Sequence, residues 1–359
     1  MAINMPSIGV YIKQLAQTVV ERSSKGKLLL VVNDDTANGD AVEHYTDLSQ
    51  VDPTHYTDSN YNDIAVTFLG APSEVIVVKQ KTAQTFAKDI VPLIATIKFD
   101  YIAALSKEAT QHTAIINYVK AENKKVQKKK KAVVYKATTP NDKRIINFVT
   151  DKYNTVSGQN KEGWHLMGRI AGLIAGLPMT QSVTYKVLGE IESVSEPADM
   201  DAEVELGHLF LWNDEDGVRL SRGVNSLTTL ADGDTEDMRM ITIIEAIDMI
   251  EYDLRTTFKH QFVGKKKNKY DNQCLFINAV LRYFDELERE DVLDEEFNNT
   301  ADIDVEAQRL AWVGIGKDEA KNWDDLTVKK RTFKRSMFLK GSVKILDALE
   351  DLTFNIYME

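Results

Sequence analysis

Leu28–Asn33 is a continuous apolar run, and such a run suits a strand buried on both faces of a sheet. Short runs of this kind recur at Glu74–Val78, Tyr101–Leu105, Val133–Tyr135 and Ile145–Phe148. Helical patterns separate the earlier ones, at Tyr61–Leu69, Ala83–Ile97 and Ala109–Val119. Strand–helix–strand alternation at this spacing predicts an α/β layered domain. A β-rich stretch follows, with Leu209–Trp212 and Val218–Leu220 flanking the hairpin loop Asn213–Gly217. After Ala231–Asp234 the pattern turns helical. Thr235 opens one helix with the apolar stripe Ile243, Ile247, Ile250 and Leu254. A second begins near Asp271 with Cys274, Ile277, Leu281 and Phe284 on one face. Ser336–Leu346 and Leu352–Tyr357 return to strand character.

A chain of 359 residues exceeds the usual span of one core, so more than one domain is expected. The reading is of the α/β class (α+β mixed). An N-terminal arm and linker at 1–24 precedes an α/β domain at 25–232. A helix-rich α+β domain at 233–340 and a C-terminal strand arm at 341–359 follow. No stretch approaches the roughly 20 apolar residues of a membrane helix. The opening residues lack the basic and apolar regions of a secretory signal. The single cysteine, Cys274, permits no intrachain disulfide, so folding in cytoplasm is expected. A net charge of -11 weighs against general nucleic-acid binding. The basic run at 124–131 has no interleaved aromatic residue for base stacking, and reads as a solvated helix end before a strand.

The motifs of catalysis are missing. His44, His55, His112, His165, His208 and His260 stand singly, without a paired metal-ligand spacing. Neither phosphate-binding glycine pattern occurs, nor does a nucleophile elbow. Cys274 reads as a core residue on a helix face, and Asp214-Glu215-Asp216 as a solvated turn rather than a calcium loop. The reading is therefore of a chain without cofactor, metal or catalytic residue. Its rivals are an α/β nucleotide-binding enzyme and another structural component, of tube or baseplate type. Gly168, Gly172 and Gly176 recur at four-residue spacing in a short apolar segment that contains Arg169. They predict a soluble helix ending before Pro178 whose backbone closely approaches a neighbour, either its own sheet or another subunit.

Gly168–Tyr185, GRIAGLIAGLPMTQSVTY, resembles the central segment of contractile phage tail sheath proteins. Gly217–Leu230, the helix opening Tyr270–Leu275 and the closing stretches Phe338–Lys340 and Val343–Leu352 resemble the same family in the same order. The opening Met5–Gly9 fits as well. The chain looks most like the compact forms of clostridial phages and phage-tail-like bacteriocins, without the protruding domains of larger sheaths. The lysine run has no counterpart in the pattern.

The resemblance implies a virion structural protein that self-assembles as stacked hexameric rings around a tail tube. Its partners would be the tube, baseplate and tail terminator proteins, with neither nucleic acid nor membrane insertion. It implies synthesis in the bacterial host cytoplasm and a mature place in a virion tail or phage-tail-like particle. It also implies a C-terminal domain and arms lying toward the tube, with the α/β domain outward. Asp248, Glu251 and Asp253 could then face the tube, or form the solvated side of a helix.

Residues 1–24 could reach at most about 80 Å when extended. Ile8, Val10 and Ile12 alternate with polar neighbours, and Lys13 follows. A lone strand of this kind is unstable unless another sheet accepts it. The expected inter-subunit contacts are Ile8, Val10, Ile12 and Lys13 at one end, and Val343, Ile345, Leu352, Phe354 and Ile356 at the other. The expected hinges are Ser23, Ser24 and Gly26, and Gly341. Lys13, Arg22, Lys25 and Lys27 near the start could complement Asp347, Glu350, Asp351 and Glu359 at the end. Ordinary solubilising charge explains them equally well.

Overall fold

The computed structural model describes Val20, residues 26–125 and residues 129–358. Ile8, Val10, Ile12, Lys13, Ser23 and Ser24 lie outside the described residues. The chain divides into two compact units: residues 26–252 with 345–358, and residues 253–344.

The first unit is built on β1 (Lys27–Asn33), β2 (Val42–Tyr45), β3 (Glu74–Gln80), β4 (Tyr101–Leu105), β5 (Lys131–Tyr135) and β6 (Ile145–Phe148). Its helices are α1 (Asp58–Thr67), α2 (Val91–Ile94) and α3 (Ala109–Glu122). Further along come β7 (Lys152–Thr155), β8 (Asn160–Glu162), α4 (Met167–Gly176), β9 (Ile191–Val194), α5 (Met200–Glu205) and β10 (His208–Leu209). The hairpin β11 (Leu211–Asp214) and β12 (Gly217–Leu220) follows, then α6 (Ile241–Gln261).

One seven-stranded sheet runs in the order β10-β6-β5-β4-β1-β3-β2. All neighbours are parallel except β2 on β3. Both faces are covered, which is why these strands read as unbroken apolar runs. Leu28, Leu30, Val75, Val77 and Ala103 face a core shared with Ile64 of α1 and Ile170 and Ile174 of α4. Leu29, Val31, Ile76, Val78 and Ile102 face Phe86, Ile90, Ile94, and Ile115 and Val119 of α3. This is the α/β layering expected. A smaller sheet runs β8-β7-β9.

The helix expected at Ala83–Ile97 is broken up. A π turn spans Phe86–Ile90 before the four-residue α2. Pro92 carries no amide hydrogen for the bond to residue 88 that a regular helix would make there.

The glycine spacing finds its neighbour within the same unit. A Cβ on Gly172 would lie 2.5 Å from the Thr67 carbonyl oxygen, and one on Gly176 2.0 Å from the Gly70 oxygen. Helix α4 thus lies backbone to backbone against the end of α1 and the turn after it.

The second unit holds α7 (Tyr270–Arg289), β13 (Thr300–Ile303), α8 (Val305–Val313), α9 (Asp325–Lys330) and β14 (Leu339–Ser342). The buried stripe of α7 is Phe276, Val280, Tyr283 and Leu287, with Ile277 and Phe284 beside it. Cys274 and Leu281 are only half-buried, so the face is rotated from the expected one. Phe276 packs edge-on against Phe258 and Phe262 at 5.2 and 5.1 Å. Trp312 packs similarly against Trp323 and Phe333.

The expected break at 232/233 marks the change from strand to helix, whereas the compact units part between Tyr252 and Asp253, inside α6. The early turns of α6 bury Ile241, Ile243, Ile244 and Ala246 in the first unit.

Two outcomes test this packing. Gly172→Ala should lower unfolding free energy by about 1–3 kcal/mol through overpacking. Gly189→Ala, which meets nothing within 4 Å, should leave urea melts almost unchanged. Burial alone would raise the Asp34 carboxyl, but hydrogen bonds from Asn60, Thr36 and Thr57 hold it at about 2. A depressed carboxyl pKa contributes stability above the unfolded value that is lost as pH falls through the folded one. Asp34→Asn should therefore flatten the loss of stability between pH 3.8 and about 2, an effect on the order of 1–2 kcal/mol in acid titration of urea melts.

Candidate assembly surfaces

Strand β14 pairs antiparallel with β13, Thr300 opposite Ser342 and Ile303 opposite Leu339. Among the described residues this sheet has two strands. An isolated pair is marginal in water, so added strands would strengthen it. Gly341 lies inside the ladder opposite Ala301, and a Cβ there would come 2.4 Å from the Thr300 oxygen. It is a strand residue in close contact, where a hinge was expected. Gly26 is likewise held. Its amide donates to Asp100 at 3.0 Å, its carbonyl accepts from Ser73, and its φ is +108°.

Past β14, Val343 and Ile345 are half-buried. The Lys344 amide donates to Asn299 at 3.0 Å, and its ammonium meets Asp294 at 2.7 Å. The strand expected at Leu352–Tyr357 does not form, because a strand requires a ladder partner. Leu352, Phe354 and Ile356 are instead 89%, 74% and 73% exposed. Alternate apolar side chains stand in water on an extended segment. The acids before them are engaged: Arg222 pairs with Asp351 at 2.5 Å and Glu350 at 3.4 Å.

The lysine run also departs from its expected role as a solvated helix end. Lys124 and Lys125 are exposed, but Lys130 and Lys131 are buried. Lys130 lies over the rings of Phe99 and Tyr118, and burial lowers its pKa. Lys131 sits 3.0 Å from Glu245 and 3.3 Å from Asp248. Burial opposes its charge, yet these two carboxylates outweigh it and raise its pKa above 10.5. Arg144 donates to both oxygens of Asp248, at 2.6–3.1 Å. Tyr101 donates to Glu245.

Asp248 and Asp253 are therefore neither a tube-facing surface nor the solvated side of a helix. Asp248 is 5% exposed, and Asp253 is 1% exposed and accepts from Tyr283 at 2.8 Å. Glu251 alone of the three is exposed. Sequence reading missed this cluster because its members come from four separate segments. The available signal was a basic run entering an apolar strand, opposite acids on the otherwise apolar start of α6.

Three of the histidines show how these side chains are engaged. His165 meets Asp63 at 2.5 Å, His208 meets Glu203 at 2.5 Å, and His112 is buried against the Ser106 carbonyl. Among the described residues, no group of three or more histidines, cysteines or carboxylates could hold a metal ion. No described helix is long and apolar enough to cross a membrane.

Residues 233–359 match the phage tail sheath C-terminal domain. The tail sheath protein of Clostridium phage phiCD119 is 29% identical over 364 residues, covering 98% of this chain and 99% of that one. The chain is thus similar to tail sheath proteins over nearly its whole length, and residues 233–359 carry their C-terminal domain. Its fold is also that of solved sheaths. The sheath tail protein of Desulfitobacterium hafniense superposes with a TM-score of 0.68 at 13% identity, over 82% of this chain and 94% of that one. The helical sheath of the anti-feeding prophage, in its contracted state, gives 0.68 at 14% identity over 99% and 100%. The sequence resemblance and the expected α/β class thus hold for this sheath subunit.

The buried charge cluster yields an expected outcome. Asp248→Ala leaves Arg144 and Lys131 buried with fewer counter-charges. The loss should be about 3–5 kcal/mol, as for a broken buried pair, read as a fall in thermal midpoint of the purified subunit.

Proposed function

We propose that this sheath subunit polymerises through terminal strands exchanged between copies, as stacked six-membered rings around a tail tube. The observation that carries the reading is the pairing of opposites at the C-terminal end. A two-stranded sheet, β13–β14, could accept strands, and Leu352–Tyr357 is an exposed apolar segment without a ladder partner among the described residues. Ile8, Val10, Ile12 and Lys13 would supply the N-terminal strand. Val343, Ile345, Leu352, Phe354 and Ile356 belong to the C-terminal one. Ser23 and Ser24 would let the N-terminal arm turn.

A single added strand makes few hydrogen bonds, each worth about 0.5–1.5 kcal/mol net. Most of that is offset by the entropy of ordering the arm. Held at several points in a lattice, the same weak contacts give a durable mesh through multivalency. Such a mesh can change shape without dissociating. The compact units would move as rigid bodies into a wider, shorter packing with more mutual contact, without nucleotide hydrolysis, and drive the tube through a target envelope. Baseplate and terminator proteins would bound the stack, and synthesis would take place in the host cytoplasm.

Deletion of residues 352–358 or of residues 1–14 should leave a folded subunit, by circular dichroism and melting, that forms no long sheath. The full chain, concentrated, should form striated hollow tubes in negative-stain microscopy. Normal tubes from both deletions would overturn strand exchange. Persistent monomers of the full chain would overturn self-assembly.

A further inference from the structure

The side chain of Glu350 is a sheltered point in an otherwise exposed stretch, with Leu349 before it 97% exposed. Glu350 has a side chain only 9% exposed, and Leu352 is 89% exposed. The difference lies in what holds the acids. Arg222 reaches Glu350 through Nε at 3.4 Å and Asp351 through Nη2 at 2.5 Å. The second Glu350 oxygen accepts from the Ser182 hydroxyl at 3.0 Å.

Ser182 is itself placed by its neighbours. With its one hydrogen given to Glu350, its oxygen accepts from the Thr184 hydroxyl at 2.9 Å and from the Thr184 amide at 3.1 Å. Thr184 Oγ1 in turn accepts from the Gly223 amide at 2.9 Å, beside Arg222. A Cβ on Gly223 would lie 2.8 Å from Val183, so the two loops lie in close contact. Upstream, burial and the nearby Glu350 raise the Asp347 carboxyl above its ordinary value. This is a socket assembled from two loops of the first unit; Glu350 is seated in it, and Asp351 pairs with Arg222 at its exposed rim.

We propose that Arg222 is the positioning residue of the C-terminal arm: with Ser182 it clamps Glu350 and Asp351 to the body of the subunit, so that only residues 352–359 are exchanged between copies. The inference rests on the strand-exchange reading and sharpens it. The acids at 350 and 351 do not seek a basic partner arm. They fix where the arm starts and in which direction it leaves. A load on the arm passes into the first unit through one charge-assisted bond and one longer ion pair to the guanidinium, and a hydrogen bond from a hydroxyl. A fixed origin also reduces the conformational freedom lost when the arm finds its acceptor.

The test uses the full chain and two readouts. A glutamate-specific protease cuts after Glu350 only when that residue is released. On unassembled subunits, Arg222→Ala should be cut there about tenfold faster than the parent, the order of effect of losing a charge-assisted hydrogen bond. Arg222→Glu should be faster still, and the exchange Arg222→Glu with Asp351→Arg should slow cleavage again. In microscopy, tube yield should fall for both single variants and recover in the exchange.

Parent-like cleavage of Arg222→Ala would overturn the clamp. Faster cleavage with undiminished tube yield would overturn its role in assembly. The 352–358 deletion, run alongside, separates this proposal from the one beneath it. If that deletion still assembles, strand exchange fails and the clamp is judged on cleavage alone. If the deletion is inert and Arg222→Ala assembles like the parent, only the clamp fails.

Discussion

Asp248 is the charge around which the first unit closes. It is buried, and it accepts from Arg144 at the start of β6 and faces Lys131 at the start of β5. Glu245, one helical turn earlier, meets the same lysine and accepts from Tyr101 of β4. Three adjacent strands of the sheet are thereby tied to the first turns of α6. Buried carboxylates are tolerable only when fully countered, so the helix has little freedom to slide or rotate on the sheet. That matters because α6 is the segment along which the chain passes from one compact unit to the next. A subunit that must keep its shape while its surroundings rearrange needs such a helix fixed at its root.

The same economy governs the ends of the chain. The interior of the first unit is dense, with strands buried on both faces and helix α4 in backbone contact with its neighbours at Gly172 and Gly176. The C-terminal segment has the opposite character past Asp351, with apolar side chains bare and no ladder among the described residues. A dense unit with a bare apolar end segment is what the proposed strand exchange would need in a polymer whose connections persist. Weak strand contacts repeated over many subunits achieve this better than one strong interface, which would resist rearrangement.

Local physics made much of this legible. Tyr101–Leu105 and Ile145–Phe148 form strands over the expected residues, because an apolar run between turn signals has few other uses. The glycine spacing announced a close backbone approach before its neighbour was known. The order of the resembling segments named the sheath family. In the assembly region, sequence picked out Leu352, Phe354 and Ile356 by their alternation but credited them with a strand. Alternation expresses readiness to pair, and the ladder itself depends on a second segment.

Sequence alone determined the α/β layering, the helical character of the later part, the apolar alternation at the C-terminal end and the family. Each depends on residues close together in the chain or on their order. Only the tertiary structure decided that Lys130 and Lys131 are buried, that Asp248 and Asp253 face inward, and that Gly26 and Gly341 are held. It alone seated Glu350 and Asp351 on Arg222 and parted the compact units inside α6. The physical reason is shared by all of these. Whether a charge is solvated or paired, and whether a glycine is loose or packed, depends on groups tens to over a hundred residues away, and no local pattern records their approach.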